Sequence, residues 1–123
     1  MMEVIVAPRA GFCFGVKRAV EMAAATAATA GGPVYTLGPL IHNPAVVRAL
    51  AARGVGVVGH PEEARGGTLI IRSHGVPPKV LAEAERLGVE VVDATCPFVR
   101  RAQDLAARLA ADGYQVVLVG DPS

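Results

Sequence analysis

Short runs of β-branched residues alternate along the chain with longer, alanine-rich stretches. Val4–Ala7 is an apolar run ended by Pro8, and an Ala-rich segment from about Val16 to Ala28 stops at Gly31 and Gly32. Strand followed by helix is the simplest reading of that pair. Val34–Leu37 reads as a second strand, and Pro44–Arg53 as a helix with proline in its first turn and Gly54 just past its end. Val55–Val58, Leu69–Arg72, Val89–Val92 and Val116–Val119 are β-like, with helices predicted over Pro78–Leu87 and Pro97–Ala111. Strands of this length separated by helices of ten or so residues imply βαβ units. The expected fold class is α/β with a mainly parallel sheet, whose strands are buried on both faces and so read as continuous apolar runs.

Two internal echoes support that topology. The segments AARGVGVVG, ERLGVEVVD and AADGYQVVLVG each place a glycine between a helix and a β-branched run. Glycine there can adopt the left-handed conformation that ends a helix. The second echo is chemical. CFGVKRA at 13–19 and CPFVRRA at 96–102 share the spacing C-x-x-V-x-R-A, and each cysteine follows a strand and opens a helix. Free backbone N–H groups and the positive end of the helix dipole favour a thiolate at such a place.

Composition narrows the class of molecule. The 123 residues are 52% hydrophobic but only 4% aromatic, with no tryptophan, so Val, Leu, Ile and many Ala must build the core. A chain of this size buries one ordinary core. The net charge of +1 supplies no basic surface for nucleic acid. Glu3 and the brief run before Pro8 do not make a secretory signal, and the longest charge-free stretch, Met22–Val47, is interrupted by glycines and prolines. The expectation is a cytoplasmic chain without a membrane partner. Two cysteines in a reducing compartment are thiols, ligands or nucleophiles rather than a disulfide.

The histidines occupy the same kind of place as the cysteines. GPLIHNP puts His42 between a strand and a helix opened by Pro44, and IIRSHGVPP puts His74 after another strand, just before Pro77 and Pro78. Ligands of open parallel sheets bind outside the carboxyl ends of the strands. Cys13, His42, His74 and Cys96 are therefore expected along one edge of one sheet. His60 leads into a polar segment with Glu62, Glu63 and Arg65 and is read as a solvated helix-start residue. Lys17, Arg18, Arg100 and Arg101 are read as ordinary surface. The G-x-x-x-x-G-K-[ST] phosphate loop is absent, and Gly11 to Gly15 has the wrong spacing for one.

Two Cys and two His could close a tetrahedral zinc site, although the short pairwise spacings of most zinc sites are missing. An iron-sulfur cluster takes thiolates as its main ligands and needs more than two. In that case the imidazoles are free to hold a phosphate or diphosphate, as a binding module without redox chemistry would also do.

The segments VAPRAGFCFGVKRAV, TLGPLIHNP, IIRSHGVPP and VVDATCPFVRRA, in this order, closely resemble the 4-hydroxy-3-methylbut-2-enyl diphosphate reductase family. The resemblance runs over nearly the whole chain. It implies that Cys13 and Cys96 are two of three thiolates holding a [4Fe-4S] cluster, and that His42 and His74 contact the diphosphate of a small allylic substrate. It also implies reductive dehydroxylation to isopentenyl and dimethylallyl diphosphate, with a ferredoxin or flavodoxin as electron donor. Family members build three similar α/β lobes, and the third cysteine, a further histidine and the proton-donor glutamate lie beyond Ser123. On this reading residues 1–95 are the first lobe and residues 96–123 the truncated start of the second, in a fragment inactive by itself.

Overall fold

A computed structural model describes residues 1–120. The order of elements is α1 (Phe14–Thr29), β1 (Val34–Leu37), α2 (Pro44–Ala51), β2 (Val55–Val58), a 3-10 turn (Pro61–Ala64), β3 (Thr68–Ile71), α3 (Pro78–Arg86), β4 (Glu90–Asp93) and α4 (Pro97–Ala111). Proline opens α2, α3 and α4, where its missing N–H would have had no helical partner. Gly54, Gly88 and Gly113 follow α2, α3 and α4 with φ of 83°, 68° and 88°, the left-handed exits that the three similar segments predict.

All strand pairs are parallel, and the order across the sheet is β2-β1-β3-β4. From β1 the chain moves outward to β2, then crosses back to β3 on the other side of β1. The carboxyl ends of β1 and β3 therefore flank a topological switch point, where the loops leaving adjacent strands diverge and open a crevice.

Two apolar layers sandwich the sheet. On one face Ala19, Ala23, Leu50, Val55 and Ile70 join α1 and α2 to the strands, while on the other Leu69, Ile71 and Ala84 pack β3 against α3. Gly15, Ala19 and Ala23 form the buried stripe of α1 at four-residue spacing. Side chains this small let the helix lie close on its neighbours, which explains how a chain so poor in aromatics fills its core. By contrast, α4 buries no residue.

Two expected strands do not form. Val4–Ala7 and Val116–Val119 carry the right residues but pair with nothing among the described residues. Both are exposed, Ile5 at 84% and Val119 at 98%. A strand is held by its ladder and by the face it buries, and neither segment has either. The last residues of the expected second-lobe start, 121–123, lie outside the described residues.

Candidate functional site

His42 and His74 meet at the switch point. His42 lies in the loop leaving β1 and His74 in the turn leaving β3, and their ring centroids are 5.4 Å apart. The second loop is a tight turn in which Gly75 N–H donates to the Arg72 carbonyl at 3.0 Å, with Gly75 at φ 75°. A Cβ on Gly75 would meet the Thr95 methyl at 3.1 Å and the Gln103 amide at 2.9 Å, so glycine allows the turn to lie against the segment before α4. The first loop ends at Asn43, whose side-chain carbonyl accepts from Ala45 and Val46 N–H at 3.0 and 3.3 Å. That cap occupies the first free donors of α2, leaving the imidazole of His42 as the polar group beyond it. A shallow depression of about 460 Å³ runs beside it, lined by Ile41, His42, Pro44 and Arg48.

The cysteines sit at the amino ends of α1 and α4. Both are free thiols, Cys13 exposed and Cys96 half-buried, and each takes the N-cap position of its helix without a capping side-chain bond. The two helix starts touch. A Cβ placed on Gly15 would collide with Cys96 Sγ, so only glycine in the first turn of α1 leaves room for that sulfur. Phe14 and Phe98 cross edge to face nearby, with centroids 6.1 Å apart.

A polar network holds the approach to Cys96. Its N–H donates to the Ser73 carbonyl at 2.8 Å, which joins the cysteine directly to the residue before His74. Asp93 accepts from the Thr95 N–H at 3.0 Å and from the Thr95 hydroxyl, and it pairs with Arg100. Partial burial raises the Asp93 carboxyl pKa, but the Thr95 hydroxyl and amide and the Arg100 charge outweigh it and hold the group below its ordinary value. Arg18 reaches across from α1 to the Thr95 carbonyl at 3.2 Å. Sequence pattern alone reads Arg18 and Arg100 as surface. The repeated C-x-x-V-x-R-A aligns Arg18 with Arg101, whereas Arg100 stands opposite Lys17, so the repeat carries a signal for Arg18 only.

His60 caps the 3-10 turn through a reciprocal box with Glu63 and stands apart from these groups. Gly54, Gly56 and Gly59 have the G-x-G-x-x-G spacing of a dinucleotide loop, yet they fall before, within and after β2. Gly54 ends α2, and Gly56 leaves room for the Tyr35 ring, whose Cδ1 would lie 2.9 Å from a Cβ there. The glutamate of the His60 box fills the turn that follows, so these glycines cradle no phosphate.

Among the described residues no three His, Cys, Asp or Glu side chains gather closely enough to hold one metal ion. A zinc site closed by Cys13, Cys96, His42 and His74 together is therefore not assembled. The two imidazoles meet, Cys96 is tied to their loop through the Ser73–Cys96 hydrogen bond, and Cys13 stands at the start of α1, whose first turn packs on Cys96. Two unpaired thiols at uncapped helix starts suit two corners of an iron-sulfur cluster by donor type, and a cluster held there requires a further ligand. No helix among the described residues is long and apolar enough to cross a membrane.

A family model described as LytB protein matches residues 4–123. A relative from Geobacter sulfurreducens, named 4-hydroxy-3-methylbut-2-enyl diphosphate reductase, is 56% identical over 120 residues, covering 98% of this chain and 42% of the relative. One of the same name from an Anaeromyxobacter species is 50% identical over 121 residues, with 98% and 43% covered. Among solved structures, one described as that reductase, the terminal enzyme of the non-mevalonate pathway, superposes with a TM-score of 0.84 at 47% identity. It covers 98% of this chain and 43% of its own. The corresponding reductase from Plasmodium falciparum superposes with a TM-score of 0.82 at 28% identity, covering 87% and 34%. The chain thus spans about two fifths of the length of the curated relatives it matches.

Proposed function

The chain belongs to the LytB protein family, and we propose that it supplies the first lobe, residues 1–95, and the opening of a second, residues 96–123, of a 4-hydroxy-3-methylbut-2-enyl diphosphate reductase. The observation that carries this reading is the pairing of His42 and His74 at the switch point, 5.4 Å between rings, with Cys96 bonded to the same loop. The relatives named above as that reductase support it.

In this reading the imidazoles hold the diphosphate by charge-assisted hydrogen bonds and fix the allylic chain relative to the thiol end of the rim. Cys13 and Cys96 give two of the thiolates of a [4Fe-4S] cluster. When bound, that cluster supplies electrons and a Lewis-acidic iron for loss of the allylic hydroxyl as water. The net change consumes two electrons and two protons, delivered by a reduced ferredoxin or flavodoxin and by solvent through a donor outside residues 1–120. Gly15 and the Asp93–Thr95–Arg100 network position the Cys96 sulfur and do not themselves touch substrate. With two thiolates and one lobe, the 123-residue chain alone is inactive, because nothing encloses the reacting atoms away from water.

Anaerobic reconstitution with iron and sulfide tests the assignment. The expected product is brown, with iron and sulfide bound in equal amounts, and Cys13→Ser or Cys96→Ser abolishes the colour. A colourless protein holding one zinc would overturn the cluster, and turnover by the 123-residue chain with a chemical reductant would overturn its inactivity. A second reading, a diphosphate-binding module without redox chemistry, is favoured by one observation: the histidine pair is complete without the cysteines. Absence of colour together with unchanged affinity for inorganic diphosphate in both serine variants would select it.

A further inference from the structure

The peptide that joins Thr95 to Cys96 is gripped from two sides. Its N–H, that of Cys96, donates to the Ser73 carbonyl at 2.8 Å, and its C=O, that of Thr95, accepts from Arg18 Nη1 at 3.2 Å. Ser73 belongs to the loop leaving β3, and Arg18 to the second turn of α1. The N–H and C=O of a trans peptide point in opposite directions. Two bonds from two different elements therefore fix the plane of this peptide, and with it the direction in which the Cys96 side chain departs.

The Arg18 half of this grip has no substitute among the described residues. Thr95 is 4% exposed, and no backbone N–H reaches its carbonyl. A buried carbonyl that loses its donor is costly, so the guanidinium satisfies a group that the fold otherwise leaves unpaired. The other side-chain hydrogen bonds of α1, from Thr26 and Thr29, stay within the helix. Arg18 alone ties α1 by a hydrogen bond to the segment before α4. Its charge also polarises the shared peptide, which strengthens the bond from Cys96 to Ser73.

We propose that Arg18 is the positioning residue for the Cys96 thiol, a clamp by which the helix that Cys13 opens sets the place of the second cysteine. The consequence for cluster assembly rests on reading the two cysteines as cluster ligands; the clamp itself does not. Arg101 supplies a control built into the chain. It stands five residues after Cys96, as Arg18 stands five after Cys13, and it is exposed with no hydrogen bond or ion pair among the described residues.

The test is the rate at which iodoacetamide alkylates each cysteine of the reduced, metal-free 123-residue chain, read site by site by mass spectrometry. Arg18→Gln raises the Cys96 rate about tenfold and leaves the Cys13 rate unchanged, and Arg18→Lys falls between, restoring charge without the fork. Arg101→Gln leaves both rates at their wild-type values. On anaerobic reconstitution the Arg18→Gln chain takes up iron and sulfide about tenfold more slowly. An unchanged Cys96 rate in Arg18→Gln overturns the clamp, as does an equal rise at both cysteines, or the same rise in Arg101→Gln. If the wild-type chain takes up no iron and sulfide, the cluster reading falls while the Cys96 rates still decide on Arg18. Should Arg18→Gln fail to fold, the guanidinium of the wild-type chain decides by NMR: separate Nη proton signals mark a held fork, and one averaged signal overturns the proposal.

Discussion

His42 and His74 stand on loops that leave β1 and β3, the two central strands, whereas Cys13 and Cys96 stand at the amino ends of α1 and α4. The central strands are the most buried part of the molecule. Leu69, Ile70 and Ile71 of β3 are wholly inaccessible, and α4 contributes no buried residue at all. The histidine half of the rim is therefore fixed by the cooperative core, and the cysteine half by a few contacts between two helix starts and the 93–96 segment. A site assembled this way separates two tasks. The histidine end, the proposed phosphate anchor, is preorganised by the fold, while the cysteine end, proposed to hold the cluster, rests on contacts too few to hold it rigidly unless further structure or a bound cluster covers α4.

Breaking the core should produce the largest effect. Ile70→Ala removes a fully buried side chain between β3 and the α1/α2 layer and destabilises the lobe by about 3 kcal/mol. Chemical denaturation should show that loss, and diphosphate affinity should fall in step with the folded fraction, since both histidine loops leave this sheet. Next comes Gly15→Ala. The added methyl collides with Cys96 Sγ, costing about 1–3 kcal/mol if α4 cannot give way. Because α4 is otherwise held weakly, the expected outcome is displacement of its amino end. Iron uptake on reconstitution is then lost while inorganic diphosphate still binds with wild-type affinity, and loss of both together would break the separation of the halves.

Much of this arrangement is legible in the sequence because it depends on local signals. Val34–Leu37, Val55–Val58 and Pro97–Ala111 have the predicted limits, since a proline or an exit glycine marks the helix ends and unbroken β-branched runs mark the strands. Placing His42 and His74 after strands sufficed to expect them on one rim, given parallel strands. Other features are not local. Val4–Ala7 and Val116–Val119 are as β-like as β2, but whether such a run becomes a strand is decided by a ladder partner, which no pattern within the run encodes. The role of Gly15 depends on a sulfur 81 positions away in sequence. The meeting of His42 with His74, and the tie of Cys96 to their loop, likewise follow from three-dimensional spacing.

Asp93→Asn gives a smaller and pH-dependent effect. The carboxylate is tied to Thr95 and Arg100 and held below its ordinary pKa, so its contribution is fully present above the unfolded value near 3.8 and is lost as pH falls through the lower folded value. At neutral pH the substitution should cost roughly 1 kcal/mol, discounted for partial exposure. Below pH 4 the difference from wild type should shrink, because protonated Asp93 loses the same contacts. Thermal melts from pH 7 down to 3 would show the two curves converging, and a constant gap would mean that the charge is not what ties β4 to α4. Diphosphate affinity at neutral pH should barely change, since the histidine loops leave other strands.

The smallest effect concerns the aromatic contact between the helix starts. Phe14 and Phe98 are 61% and 70% exposed, so replacing either with Ala removes little buried area and should change stability by less than about 1 kcal/mol. Their edge-to-face geometry predicts a coupling, roughly 0.5 kcal/mol in a double-mutant cycle, at the low end for aromatic pairs because both rings are solvated. The coupling matters more than either single change. A measurable value means that α4 already docks on α1 in the 123-residue chain and that the thiols are brought near each other before any metal arrives. A coupling of zero, with Arg18 and Arg100 intact, would leave the 93–96 segment as the sole tether of Cys96 and make the cysteine half of the rim form only when a cluster binds.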